Sequence, residues 1–295
     1  MASSSSTQVP FNILEVLQGP PTRPAYYRIS VESSIKYLIA PQPLSGLPDI
    51  HGDHLGFNAV PMGDWDIASL IRNAGGKLVV SSTEKKRFPD ATPVWHLSNI
   101  DLLELWRLQE LGEYHDNDND NGDNLQLRGH IPSAVFPGSK HLGAAKVAAF
   151  WNLDFEGEHN HGLSQESHIY SLIQGTSIAP KFLAHLTDNH ERVVGYVLES
   201  VPAREADIGD LDLCRDVLQK LHNLGIAHGH LTKDAFLIRQ ETPMAQIQFF
   251  FSSYKTIDRD VLDKEMSSLE EVLQQRPLQE PVHDEKLDDE ITAIQ

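Results

Sequence analysis

The stretch that most constrains this chain runs from Leu221 to Ile238, LHNLGIAHGHLTKDAFLI. Leu211, Cys214, Val217, Leu218 and Leu221 recur at helical spacing, which predicts a long amphipathic helix entering it from about Asp207. Gly225 is placed to stop that helix, HGH makes a tight turn, and FLI reads as a short buried strand. His228 and His230 are the titratable side chains of the turn.

Composition sets the limits. The chain has 295 residues, 40% of them hydrophobic and 22% charged, enough for one good core or two small ones. A formal charge of −18 argues against nucleic acid and anionic membrane as partners, because both are bound through basic patches. The single cysteine, Cys214, falls inside the helical pattern and is expected as a small buried apolar side chain. The opening MASSSSTQVPF has no charged start or apolar run, and no later stretch approaches the ~20 apolar residues of a membrane span. A cytoplasmic or nuclear protein is expected.

Residues 1–20 are expected to be disordered, and the first ordered element to be a hairpin between about Tyr26 and Ala40. If Glu32, Ser33 and Ser34 make its turn, then Tyr27, Ile29, Val31, Ile35, Tyr37 and Ile39 share one apolar face. His51, Asp53 and His54 lie in a Pro/Gly-rich passage, but their spacing matches no metal-ligand motif. From Ile67 to Val80 a short helix or turn and a strand, KLVV, are expected. Leu102, Leu105, Trp106 and Leu108 then recur at helical spacing, as a core face does. The run HDNDNDNGDN from His115 resembles the start of a calcium loop, yet Asn121 stands where the sharp-turn glycine belongs and Leu127 where the bidentate Glu belongs. A mobile acidic insertion over 114–125 is the expectation.

Beyond it, HLGAAKVAAFWNL reads as a central strand carrying Lys146, and LSQESHIYSLIQG as a helix with Ser164 as cap, Glu166 in its first turn and Gly175 as stop. FLAHL and VVGYVLE read as strands joined by a tight turn at Asp188 and Asn189. Glu199, Ser200 and Val201 lead from the second strand towards the long helix. After the FLI strand comes QIQFFFSS, and from Asp258 a last amphipathic helix with Leu262, Met266, Leu269, Val272 and Leu273 on one face. The tail from 276 to 295 is acidic and expected to be solvated.

Taken in order, Gly63-Asp64-Trp65, Trp95-His96, Lys146, Glu166 and Tyr170, IAPKFLAHL, VVGYVLE, Asp210, Leu211 and Cys214, and LHNLGIAHG with FLI resemble a fungal family of short protein-kinase-like proteins. That family is akin to the small-molecule phosphotransferases of the kinase fold. Some of its members carry the loose label α-galactosidase-like, which no glycosidase pattern in this chain supports. The resemblance implies an α+β, two-lobe kinase-like fold: an antiparallel-sheet amino lobe with its extension over 21–199 and a minimal helical carboxyl lobe over 200–275. It also implies a residual phosphate-binding pair of Lys146 and Glu166, and His228 as a framework residue bonded to the backbone.

The departures fall on the chemistry. Where the family has its catalytic aspartate this chain has His230, where it has the metal-binding asparagine it has Ala235, and the second metal ligand is replaced by Gln248 or Phe249. Asp234 lies one residue from the lost asparagine, a slip that swings a side chain away from the site, and no glycine-rich phosphate loop is present. No metal site is expected, so Mg²⁺-dependent phosphoryl transfer is not. The expected function is a pseudokinase: a ligand-binding or scaffold protein whose inter-lobe cleft takes a small molecule, ATP without magnesium among them, or which binds a protein partner. The alternative is a repurposed metal-free enzyme of fungal secondary metabolism, a cyclase or isomerase, with His230 as general base beside Phe249 to Phe251.

Overall fold

A computed structural model describes residues 7–17, 24–41, 57, 59–86, 88, 90, 93–104, 126–131, 143–148, 161–199 and 201–274. The His51–His54 passage, the 114–125 insertion and the tail from 276 lie outside the described residues. The architecture is α+β, with small sheets and helices packed, among the described residues, around two hydrophobic cores.

The first ordered strands come earlier than expected. β1 (Gln8–Pro10) and β2 (Asn12–Leu17) fall inside the 1–20 stretch; β1 pairs with β5 (Ala59–Pro61), and β2 with the expected hairpin. That hairpin is β3 (Ala25–Val31) and β4 (Ser34–Ala40), joined by Glu32 and Ser33 alone. Glu32 has φ 55°, the left-handed conformation with which primed two-residue turns begin.

This turn corrects the expected single apolar face. With two loop residues instead of three, Ile29 pairs with Lys36 and Tyr27 with Leu38, so odd positions on β3 share a face with even positions on β4. Both faces are buried. Tyr27, Ile29, Val31 and Leu38 enter one core with Trp65, while Ile35 and Tyr37 enter the larger one. The register also sets Lys36 over the Trp65 ring, 4.4 Å from its centroid, on one face, and Arg28 5.7 Å from the Tyr37 centroid on the other.

β6 (Ile67–Arg72) is a strand where a helix or turn was expected, and it forms a hairpin with β7 (Leu78–Glu84) around Asn73. β6 runs parallel to β4 on one side and antiparallel to β7 on the other, so its backbone groups are paired within a sheet. The first sheet has the order β2-β3-β4-β6-β7.

The second five-stranded sheet has the order β8-β11-β12-β10-β9: β8 (Asn99–Asp101), β9 (Gln126–Ile131), β10 (Gly143–Ala148), β11 (Phe182–Asp188) and β12 (Arg192–Glu199). Helix α1 spans His161–Ile173, so Ser164 is its fourth residue and not its cap. Ile169 and Ile173 are buried, and Gly175 ends the turn at φ 80°. The β11–β12 turn is made by Asn189 and His190, at φ 52° and 58°; Asp188, expected in the turn, is the last residue of β11 and is buried. Asn189 ties the two sheets together. Its Oδ1 accepts the Ile35 N–H at 2.7 Å and its Nδ2 donates to the Ile35 carbonyl at 3.0 Å.

The remaining elements are short. β13 (Ala203–Glu205), β15 (Phe236–Arg239) and β16 (Ala245–Ile247) form a three-stranded sheet, and β14 (Ile226–Ala227) pairs with β17 (Tyr254–Lys255). Helix α2 (Leu211–Asn223) is entered through a capping box of Asp207 and Asp210, and Asp210 is gripped by both Nη atoms of Arg204 at 2.6 and 2.7 Å. Helix α3 (Arg259–Gln274) lays Leu269, Val272 and Leu273 into the core. No helix among the described residues is long and apolar enough to cross a membrane.

Candidate functional site

The loop from His228 to Ala235 sits between β14 and β15, and three elements hold it. Gly225 at φ 68° closes α2, and the β14–β17 pairing anchors the first arm. Gly229 at φ 81° then brings the backbone so near the 3₁₀ turn Phe250–Ser252 that a Cβ there would stand 2.2 Å from the Ser252 carbonyl oxygen. Only glycine fits.

His228 is fully buried and bonded to the backbone, as expected: its Nε2 stands 3.0 Å from the Gln248 carbonyl oxygen. A carbonyl only accepts, so Nε2 carries the proton. Burial pushes the His228 pKa down, against the hydrogen bond to Gln248 and the charge of Glu265, so this imidazole is structural in its neutral form. Its own carbonyl accepts from Ser253 Oγ at 2.8 Å.

The residue that sets the loop is Glu265 of α3. One oxygen accepts the His228 N–H at 3.0 Å and meets His222 Nε2 at 2.7 Å; the other accepts the Gly229 N–H at 2.7 Å. Burial works to raise the Glu265 pKa, but these hydrogen bonds outweigh it and hold the carboxyl below its ordinary range. Sequence reasoning missed this residue. The signal was available: Glu265 stands three residues after Leu262 and four before Leu269, so a charge lies on the helix face that packs inward.

His230 itself is exposed, and its ring lies 5.9 Å from that of Phe251. Among the described residues it makes no hydrogen bond to a carboxylate that would orient it as a base. Ala235 is fully buried beneath the loop, and Asp234 is exposed. Gln248 is committed elsewhere: its N–H donates to the Ala235 carbonyl at 2.9 Å and its Nε2 to the Asp234 carbonyl at 2.9 Å. Phe249, with φ 68° and ψ 54°, turns the chain out of β16. Among the described residues no group of three His, Cys, Asp or Glu side chains converges as metal ligands do.

Phe250 joins this loop to α1. Its N–H donates to Glu166 Oε1 at 3.2 Å, and its ring meets Tyr170 edge-on at 5.4 Å and His228 at 5.7 Å. Glu166 is therefore buried at the junction of helix and loop. Burial first, and Glu166 second, push the Tyr170 and Tyr196 phenols well above the ordinary tyrosine range. Lys146 lies in β10, in register with Tyr196 of β12; its side chain lies outside the described residues.

A second cluster faces the other side of α1. His185 is buried and its Nε2 accepts the N–H groups of Trp95 and His96, at 3.1 and 3.2 Å. Trp95 Nε1 donates in turn to Ser167 Oγ of α1 at 3.2 Å.

No protein-family model matches the chain, and no curated protein matches it.

Proposed function

We propose that the chain is a catalytically degenerate kinase-like protein that binds a small ligand, a nucleotide without magnesium in the first instance, in a cleft between two lobes. One observation carries this reading: Glu166 of a helix packed beside a five-stranded sheet receives the N–H of Phe250, directly after a residue, Phe249, held in the left-handed conformation. In kinase-like folds the helix glutamate and the metal-binding loop meet at such a junction, and Phe249 then stands at the metal ligand's place. Several further features support the same reading. The strand order β9-β10-β12-β11 puts Lys146 on an inner strand, β14 pairs with β17 around the histidine loop, and Glu265 clamps that loop from the following helix.

The chemistry follows from what the positions hold. A phenyl ring at 249 and a methyl at 235 offer Mg²⁺ no oxygen, so the phosphoryl charge of a transfer reaction has nothing to neutralise it. Anion binding by Lys146 needs no metal.

A thermal-shift titration with ATP, with and without Mg²⁺, tests the reading. At ~100 times its dissociation constant a ligand adds about 2.7 kcal/mol to the native state. A rise in Tm that is indifferent to Mg²⁺ is the expected result. A rise that requires Mg²⁺ overturns the loss of the metal site, and no rise in either condition removes the nucleotide.

A further inference from the structure

The segment 93–98 is tied to the second large sheet and to α1, among the described residues, by a small set of bonds. Its Trp95 and His96 N–H groups both point at one atom, His185 Nε2 of β11, at 3.1 and 3.2 Å. Trp95 Nε1 donates to Ser167 Oγ at 3.2 Å, Ser167 Oγ to the Pro93 carbonyl at 3.4 Å, and the His185 N–H to the Ser98 carbonyl at 2.9 Å. The Trp95 ring covers Phe182, with centroids 4.5 Å apart. Between these ties the apolar side chains are left in solvent, Val94 at 55% and Leu97 at 99% exposed, while His185 beneath them is 1% exposed.

A ring nitrogen that receives two N–H groups offers them its lone pair, so the proton of neutral His185 is on Nδ1. A proton added at Nε2 turns that acceptor into a donor facing two donors, and both bonds are lost. The titratable groups on the elements around His185 are His96 on the segment, Tyr196 opposite it on β12 and Glu166 on α1; β8 meets it through Asn99, which does not titrate. Tyr196 is held well above the ordinary tyrosine range and stays neutral, and Glu166 accepts the Phe250 N–H. Burial, and His96 after it, therefore push the His185 pKa down from 6.5 to about 4 while the segment is closed.

We propose that the segment 93–98 is an acid-released strap: once His185 takes a solvent proton at Nε2, the Trp95 and His96 N–H groups lose their acceptor and the segment swings off β11, uncovering Phe182 beside α1. The free energy follows from linkage. An opened, solvated His185 titrates near the ordinary 6.5 and the closed one near 4, so the open form binds the extra proton first as pH falls. The ratio of open to closed strap then rises about tenfold per pH unit between 6.5 and about 4, about 300-fold in all, and is constant outside that interval. The strap is independent of the nucleotide reading, since none of its bonds involves the histidine loop.

Amide hydrogen exchange of the full chain from pH 7 to pH 4 is the test, read as protection factors so that the pH dependence of exchange chemistry itself is divided out. Protection of the Trp95 and His96 N–H groups is expected to fall about tenfold per pH unit below 6.5, while a core amide such as Val197 of β12 falls less steeply. His185→Gln keeps an acceptor but cannot titrate, and protection of the two strap amides should then be flat over the same interval. If that variant does not fold, the natural chain decides alone. Flat protection of the strap amides in the natural chain, a fall in step with Val197, which is global unfolding, or an unchanged slope in His185→Gln would each overturn the proposal.

Discussion

Glu265 accepts the backbone N–H of Gly229 at 2.7 Å from a position 36 residues further along the chain. The same carboxylate takes the His228 N–H and meets His222, so one side chain of α3 fixes the exit of β14, the end of α2 and the start of the histidine loop. A charged acceptor shared by several buried donors is among the strongest local restraints a fold of this size can place.

Glu265→Ala is accordingly expected to lower stability by about 2 kcal/mol, because the buried His228 N–H and His222 ring lose a charged acceptor and the more exposed Gly229 N–H falls back on water. The pH dependence follows from the lowered pKa of Glu265. The unfolded chain takes up this proton first, so the contribution is complete above the ordinary value of 4.5 and is lost as pH falls through the lower folded value. Urea titrations between neutral pH and pH 3 should show the natural chain losing this increment while Glu265→Ala, already without it, shows a shallower decline.

Gly229→Ala should be more damaging than its size suggests. The added Cβ would meet the Ser252 carbonyl oxygen at 2.2 Å, and the φ of 81° is strained for alanine. Overpacking and backbone strain together are expected to cost at least about 3 kcal/mol. Gly76 has φ 78° with nothing near its Cβ position, so Gly76→Ala isolates the conformational part and should cost only about 1 kcal/mol. Equal melting temperatures for the two variants would remove the Ser252 contact from the argument.

His185 carries a pH signature of its own. Burial, with His96 nearby, pushes its pKa down from 6.5 to about 4. The folded imidazole resists protonation that the unfolded chain accepts, so its contribution is complete above 6.5 and is lost between 6.5 and about 4. His185→Leu removes the acceptor for Trp95 and His96, which should cost about 2 kcal/mol at neutral pH and flatten the stability profile over that interval. An unchanged slope would assign the acid sensitivity to other groups.

Placing oxygen ligands in the histidine loop tests the proposed kinase-like reading of it. His230→Asp, Ala235→Asn and Phe249→Asp together are expected to create a Mg²⁺-dependent rise in Tm with ATP that the natural chain lacks. Ala235 is fully buried, so asparagine there should itself cost about 2 kcal/mol, and the comparison is made at each protein's own melting temperature. A triple variant that folds and still ignores Mg²⁺ would count against the kinase-like reading of this loop.

Much of the chain between residues 161 and 274 was legible in the sequence because its signals are local. Leu211, Cys214, Val217, Leu218 and Leu221 repeat at the helical period, Gly175 and Gly225 have only to end a helix, and the β-branched run of VVGYVLE needs no distant partner to be read. The end of α1 followed the same rule, whereas its start lies three residues before Ser164, the residue that reads as a cap. The buried, backbone-bonded role of His228 also agreed.

What no local pattern carried was decided by register and long-range contact. Whether Tyr27 and Tyr37 share a face depends on a two- or three-residue turn, and one residue of difference sends every side chain of a strand to the opposite side. Asp188 reads as a turn residue and becomes a buried acid because Asn189 and His190 take the turn and the first sheet supplies Tyr37. The composition and the helical stretches α2 and α3 were legible in the sequence itself. The placement of Glu265 on the histidine loop, of Glu166 on Phe250 and of Arg192 on Tyr37 was decided only when segments 36 to 155 residues apart met, because their free energy comes from desolvated contacts that the unfolded chain does not make.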